Sequence, residues 1–142
     1  MSVVVGVLVC ASGLLGQQST SDRTYSEQNW QFAGGDWSSS RYSTLSDIST
    51  ETVDRLSGAW VTRLEGGASS RATPVVHDGI MYLTAGANIF ALDGATGESV
   101  WRSQLNNSAA DSRRVPSWQG VGLSEDLIFV GLRSAEVAAL RQ

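Results

Sequence analysis

The sequence contains no lysine. Its ten basic residues are all arginine and stand against fourteen acidic ones, giving a net charge of -4 and a pI near 4.8. No run of positive charge is long enough to follow a phosphate backbone, which excludes nucleic acid as a partner. The arginine-only usage reads as compositional bias and carries no function. Cysteine occurs once, at Cys10, so the chain can form no internal disulfide. Histidine also occurs once; His77 precedes Asp78-Gly79 and reads as a surface turn residue with no second imidazole to share a metal. Asp93, Asp111, Glu125 and Asp126 are scattered over turns, so they do not make a calcium loop with oxygen ligands at alternating positions. No catalytic residue and no metal ligand is read from the chain.

Long apolar runs are also scarce. The one present, Val3 to Gly16, has the length of a signal-peptide core and is too short to span a bilayer comfortably, so residues 1–16 are expected to be an export signal and the protein periplasmic or secreted. Small residues at Ala11, Ser12, Gly13 and Gly16 offer cleavage positions. Lipidation of Cys10, the one route to membrane association, is a second reading, although Val9 is a poor residue to precede a lipidated cysteine.

What the chain does have is the composition of a globular domain, 42% hydrophobic and 17% charged over 142 residues. Residues 17–29 read as a polar N-terminal tail. Residues 30–70 form an N-terminal segment in which Trp30, Phe32, Trp37 and Tyr42 stand among Gly and Ser, as in an ordered loop whose aromatics plug onto a larger body. A short helix is expected over Ser49 to Leu56, with Ser49 or Thr50 as cap and Val53 and Leu56 facing inward. Ala59 to Leu64 alternates like a half-buried strand.

From Arg71 onward the pattern is regular. Thr73 to His77, Ile80 to Thr84, Asn88 to Leu92 and Glu98 to Ser103 read as four short strands, with the Asp78-Gly79 hairpin signal between the first two. Ile80-Met81-Tyr82-Leu83 returns as Leu127-Ile128-Phe129-Val130, and Ile89-Phe90-Ala91-Leu92 as Val137-Ala138-Ala139-Leu140. A period in the forties with four strands per unit predicts an all-β chain, an incomplete β-propeller. It comprises one full blade over 71–105 and about three strands of a second over 106–142. In "ALDGATGESVW" (91–101), Asp93 should fix the turn through its side chain, Gly97 should admit a ring against the backbone, and Trp101 should offer a flat surface to the next blade.

That stretch resembles the tryptophan docking motif of the quinoprotein dehydrogenases, which use pyrroloquinoline quinone (PQQ). "GGDWSSSRYSTLSDIS", "VDRLSGAWVTRL" and "RATPVVHDGIMYLTAGANIFALD" are similar to the same family's N-terminal region. The resemblance implies an eight-bladed propeller, PQQ and calcium over the central funnel, an alcohol or sugar as substrate, and the remaining blades as partners. A carboxylate from a later blade would act as general base. It also implies that this chain alone neither binds the cofactor nor turns over. A non-catalytic propeller scaffold, such as an outer-membrane assembly lipoprotein, is the alternative.

Two positions depart from the family. Arg71 stands where a Glu often contacts the cofactor, and Gln119 where an Arg commonly precedes the glycine of the second inner strand. The adjacent cysteine pair of many alcohol-oxidising members is absent. Arg71 and Gln119 lie one period apart, each near an inner strand, and are the candidate cofactor-binding residues on one funnel-facing rim. Arg71 would hydrogen-bond an acidic quinone through its fork, or it is a solvated loop charge. Arg113-Arg114 reads as a basic loop between blades. Trp118 either stacks on a planar ligand or packs against the neighbouring blade.

Overall fold

A computed structural model of the chain describes residues 29–105, 115–124 and 126–142. The export-signal reading with Cys10, most of the polar tail, Asp111, Arg113, Arg114 and Glu125 lie outside them, as do the side chains of Trp118 and Gln119. Among the described residues no helix is long and apolar enough to cross a membrane.

Seven strands make two antiparallel sheets. The first holds β1 (Val75–His77), β2 (Ile80–Ala85), β3 (Asn88–Asp93) and β4 (Ser99–Gln104) in that order, and the second holds β5 (Pro116–Ser124), β6 (Leu127–Leu132) and β7 (Val137–Arg141). Within each sheet every strand lies beside its neighbour in sequence, as short hairpin connections allow. Side chains alternate between the faces, so β3 buries Ile89 and Ala91 on one side and Phe90 and Leu92 on the other. A central strand covered on both faces needs that continuous apolar run.

The two sheets share one core. Val75, Tyr82, Ile89 and Ala91 of the first meet Ile128, Val130 and Leu132 of the second, and Trp101 packs at the edge of this layer with its ring 6.1 Å from that of Tyr82. The expected role of Trp101 as a surface for the next blade is met. The fold is an all-β incomplete propeller, two stacked sheets of four and three strands.

Two expected elements differ. Ser49 to Leu56 forms only a single 3-10 turn at Val53–Arg55, preceded by Thr52 without a side-chain cap, and Val53 and Leu56 are exposed rather than inward-facing. The segment is too short to propagate a helix, and no described layer covers its apolar side. Ala59 to Leu64 is extended but pairs with no strand among the described residues. Its alternation survives as burial, with Trp60, Thr62 and Leu64 turned toward the first sheet and Ala59, Val61 and Arg63 exposed.

The N-terminal segment is tied to the inner edge of the first sheet. Trp30 and Val76 exchange two backbone hydrogen bonds of 2.9 Å, and Asn29 Oδ1 accepts the Asp78 amide at 2.8 Å. His77 is therefore half-buried rather than a free turn residue, with Nδ1 2.8 Å from Gln31 Nε2 and Nε2 3.6 Å from Asp78 Oδ2. Of the four expected plugging aromatics, Trp30 and Phe32 are partly buried, while Trp37, with its ring 4.5 Å from that of Phe32, and Tyr42 are largely exposed.

The turn after Phe32 depends on Asp36, whose carboxylate accepts Ser38 Oγ (2.9 Å), the Ser40 amide (2.9 Å) and Ser40 Oγ (2.6 Å). The bonds from Ser40 and then Ser38 lower its pKa from 3.8 to about 2. A depressed carboxylate contributes stability that is complete above its unfolded pKa and is lost as pH falls through the folded one. The Ser40 amide resonance is expected to stay native-like down to about pH 3 and to move toward its random-coil position as pH falls through about 2. An unchanged resonance at pH 2 would remove Asp36 as the anchor of this turn.

Candidate functional site

Two features of the first sheet position everything around it. The first is the turn after β3. Asp93 Oδ1 accepts the amides of Ala95 (2.9 Å) and Thr96 (2.8 Å) and the Thr96 hydroxyl (3.0 Å), closing the turn as the sequence predicts. The backbone and side-chain bonds from Thr96 lower the Asp93 pKa. Gly97 follows at φ +74°, and a Cβ there would lie 2.4 Å from the Trp60 ring. The ring that Gly97 admits is thus Trp60 from the preceding segment. Trp60 Nε1 donates to Gly94 O at 3.1 Å, and Thr62 Oγ1 donates to Gly97 O.

Trp60 stands to the first sheet as Trp101 stands to the second. Trp60 and Leu64 pack on Ala85, Phe90 and Leu92. Trp101 and Leu105 pack in the layer that contains the repeat-equivalent Leu132, Ala138 and Leu140. The heptapeptides GAWVTRL (58–64) and SVWRSQL (99–105) match in the same way. Ala59 to Leu64 is therefore the counterpart of β4, the outer strand of a sheet whose inner strands are not among the described residues. The sequence carried this signal as a second copy of the outer-strand pattern, placed ahead of the first sheet.

The second feature is the rim where the inner strands begin. Gly120 in β5, at φ +89°, lies so close to the first sheet that an added Cβ would sit 3.1 Å from Thr73 O and 3.6 Å from Ala72 Cβ. Arg71 precedes Ala72 and Gln119 precedes Gly120 in the sequence, so this contact lies next to both expected site residues. Arg71 is exposed and its side chain is engaged. Next to it a cleft of about 120 Å³ opens between the sheets, lined by Ser69, Ser70, Thr84, Pro116 and Arg133. Arg133 escaped the sequence reading, yet it follows β6 where Gly86 follows β2, so the repeat itself pointed to this end of the sheet.

The groups at this cleft are the hydroxyls of Ser69, Ser70 and Thr84 and the Arg133 guanidinium, with Arg71 following Ser70 in the chain, which suits a ligand carrying carboxylates. Among the described residues no three His, Cys, Asp or Glu side chains cluster to hold a metal ion.

Comparison with known proteins agrees with this architecture. Residues 30–141 match the family model described as PQQ, glucose/ethanol/alcohol dehydrogenase, β-propeller domain. The quinohemoprotein alcohol dehydrogenase of Comamonas testosteroni is 40% identical over 122 residues, which cover 79% of this chain and 16% of the relative. The 1-butanol dehydrogenase (cytochrome c) of Thauera butanivorans is 31% identical over 119 residues, covering 78% of this chain and 17% of the relative. The crystal structure of the Comamonas testosteroni enzyme superposes with a TM-score of 0.70 at 32% identity, over 80% of this chain and 18% of that one. A quinohemoprotein alcohol dehydrogenase of Pseudomonas putida gives 0.66 at 25% identity, over 81% of this chain and 19% of that one. The chain spans about a sixth of the length of the curated relatives it matches.

Proposed function

The chain belongs to the PQQ, glucose/ethanol/alcohol dehydrogenase β-propeller family, and on that premise we propose that it forms the N-terminal sheets of an exported quinoprotein dehydrogenase that oxidises an alcohol. The observation that carries this is the superposition on a solved quinohemoprotein alcohol dehydrogenase over four-fifths of the chain. An alcohol is preferred to a sugar because the relatives compared are named as alcohol dehydrogenases. Periplasmic location rests on the apolar stretch over residues 3–16.

In such a protein PQQ, assisted by calcium, accepts the electrons of alcohol oxidation. The part this chain plays is to bind and orient. Arg71 is assigned a two-pronged contact to an anionic ligand and Gln119 a second one, a reading supported by the close approach of Gly120 to Ala72 and Thr73. Neither residue keeps the family's identity, so the contacts made to the quinone differ from those of typical members. The isolated 142 residues, lacking the other sheets, are inactive.

The test uses the full-length protein loaded with PQQ and calcium. Ethanol-dependent dye reduction is expected, and Arg71→Ala should weaken PQQ binding on the order of tenfold, the value of about one charge-assisted hydrogen bond. Equal PQQ affinity in the variant removes Arg71 from the site. Absence of any alcohol-dependent turnover in the loaded wild type removes the dehydrogenase reading.

A further inference from the structure

Asn88 breaks the apolar run of β3. The four residues after it, Ile89, Phe90, Ala91 and Leu92, are buried in the hydrophobic layers, and Asn88 is buried as deeply, at 4% exposure. A buried amide costs stability unless it is hydrogen-bonded. Here Nδ2 donates to Gly66 O at 2.6 Å, in the stretch 65–70 that joins Ala59 to Leu64 with Arg71 and the start of the first sheet. An apolar side chain at 88 would serve the sheet as its neighbours do. The amide serves the loop.

A second side chain grips the same turn. Arg102 of β4 lies opposite Phe90 in the ladder, on the face that also bears Asn88, and its Nη1 donates to Glu65 O at 2.7 Å. Two successive carbonyls of the loop are thus held from two adjacent strands. The backbone comes close enough for this only where side chains are small. At Gly86, φ +61°, an added Cβ would lie 3.2 Å from the Ala68 nitrogen and 3.5 Å from Gly66 O, and at Gly67 it would lie 3.2 Å from Ala85 Cβ. Gly66, at φ +72°, turns the chain so that the Gly67 amide donates back to Leu64 O at 3.0 Å. Beyond this clamp come Ser69 and Ser70, which line the cleft between the sheets, and then Arg71.

We infer that Asn88 and Arg102 are positioning residues, which hold Gly66 and Glu65 so that Ser69, Ser70 and Arg71 are presented at the rim in a fixed geometry. The inference rests on the reading of Arg71 as a contact to an anionic quinone. Residues 65–70 pair with no strand, so their backbone freedom would otherwise be lost on binding. Ordering the loop in advance removes that cost from the binding step and raises affinity without any new contact.

The test uses the full-length protein. Asn88→Leu keeps the size of the side chain and suits the buried layer, while Gly66 is exposed and its carbonyl can turn to water. Urea unfolding should therefore show a stability equal to the wild type or higher. Amide exchange over 65–71, measured without quinone, should nonetheless quicken by about tenfold, as for one lost hydrogen bond, while 80–92 keeps its wild-type rate. PQQ titrated in the presence of calcium should bind more weakly, by about fivefold, since the loop must then be ordered on binding. On an Arg71→Ala background the same substitution should leave PQQ affinity unchanged, because the loop has lost the side chain it places. Arg102 is exposed, so Arg102→Met should fold as the wild type does and reproduce both the quickened exchange and the weaker binding. Arg102→Lys, which keeps an N–H donor on a long stem, should restore most of each.

Wild-type exchange over 65–71 in Asn88→Leu and Arg102→Met overturns the inference. So does quickening that extends equally over 80–92, which would make both residues supports of the sheet alone. A loosened loop with wild-type PQQ affinity, in a protein whose Arg71→Ala form binds PQQ more weakly, overturns it and leaves the reading of Arg71 standing. If Arg71→Ala itself binds PQQ as the wild type does, that reading falls and the inference falls with it.

Discussion

Replacing Gly97 by alanine is expected to expel Trp60 from the first sheet. Two causes act together. The backbone at φ +74° disfavours any Cβ by about 1–2 kcal/mol. The added carbon would also lie 2.4 Å from the Trp60 ring and 2.8 Å from Thr62 Oγ1, distances that cannot be kept. The ring must leave, and with it go its hydrogen bond to Gly94 O and its cover over Phe90 and Leu92. The total loss should reach about 3–5 kcal/mol, close to that of truncating a buried aromatic. Urea unfolding should show it, together with a red shift of tryptophan emission in the native baseline. Gly79→Ala isolates the backbone cause, because its φ is +79° and nothing stands within 4 Å of the added carbon. That variant should lose only about 1 kcal/mol without a spectral shift. Equal losses in the two variants would mean that Trp60 is not held by Gly97.

Ile89→Ala and Val137→Ala should differ sharply although the positions are repeat equivalents. Ile89 is fully buried between the sheets against Ile128 and Val130, in a place that cannot collapse because backbone frames it on both sides. Its truncation is expected to cost about 3–4 kcal/mol by lost transfer and by the cavity left behind. Val137 is 70% exposed, and its truncation in the monomer should change stability by less than about 0.5 kcal/mol. In a longer chain whose further sheet covers the face bearing Phe129 and Val137, the cost at Val137 should rise toward that at Ile89. Chemical denaturation of both variants would measure the difference. Identical effects in the 142-residue chain would show that burial does not follow the stacking of these two sheets.

Much of this architecture was legible in the chain. Asp78-Gly79 and the polar turn at 93–97 fixed where strands reverse, and the return of Ile80–Leu83 and Ile89–Leu92 one period later fixed how many sheets to expect. Both are local signals, carried by turn chemistry and by side-chain alternation. The close approach of Gly120 to Ala72 and Thr73 was legible in part for the same reason, since both stretches stand just ahead of or within the first strand of a unit. The helix expected over Ser49 to Leu56 failed because its apolar residues promised a face without saying what would cover it.

The sequence by itself determined the strands, their antiparallel order and the identity of the docking residues, because these depend on neighbours two to ten positions away. Only the tertiary structure decided that the ring resting on Gly97 is Trp60, that Ala59 to Leu64 packs on the face of the first sheet without joining its ladder, and that Phe129 lies open while Tyr82 is closed. Alternation states that a side chain turns away from water. It does not state against which sheet, because that depends on surfaces brought together from distant parts of the chain.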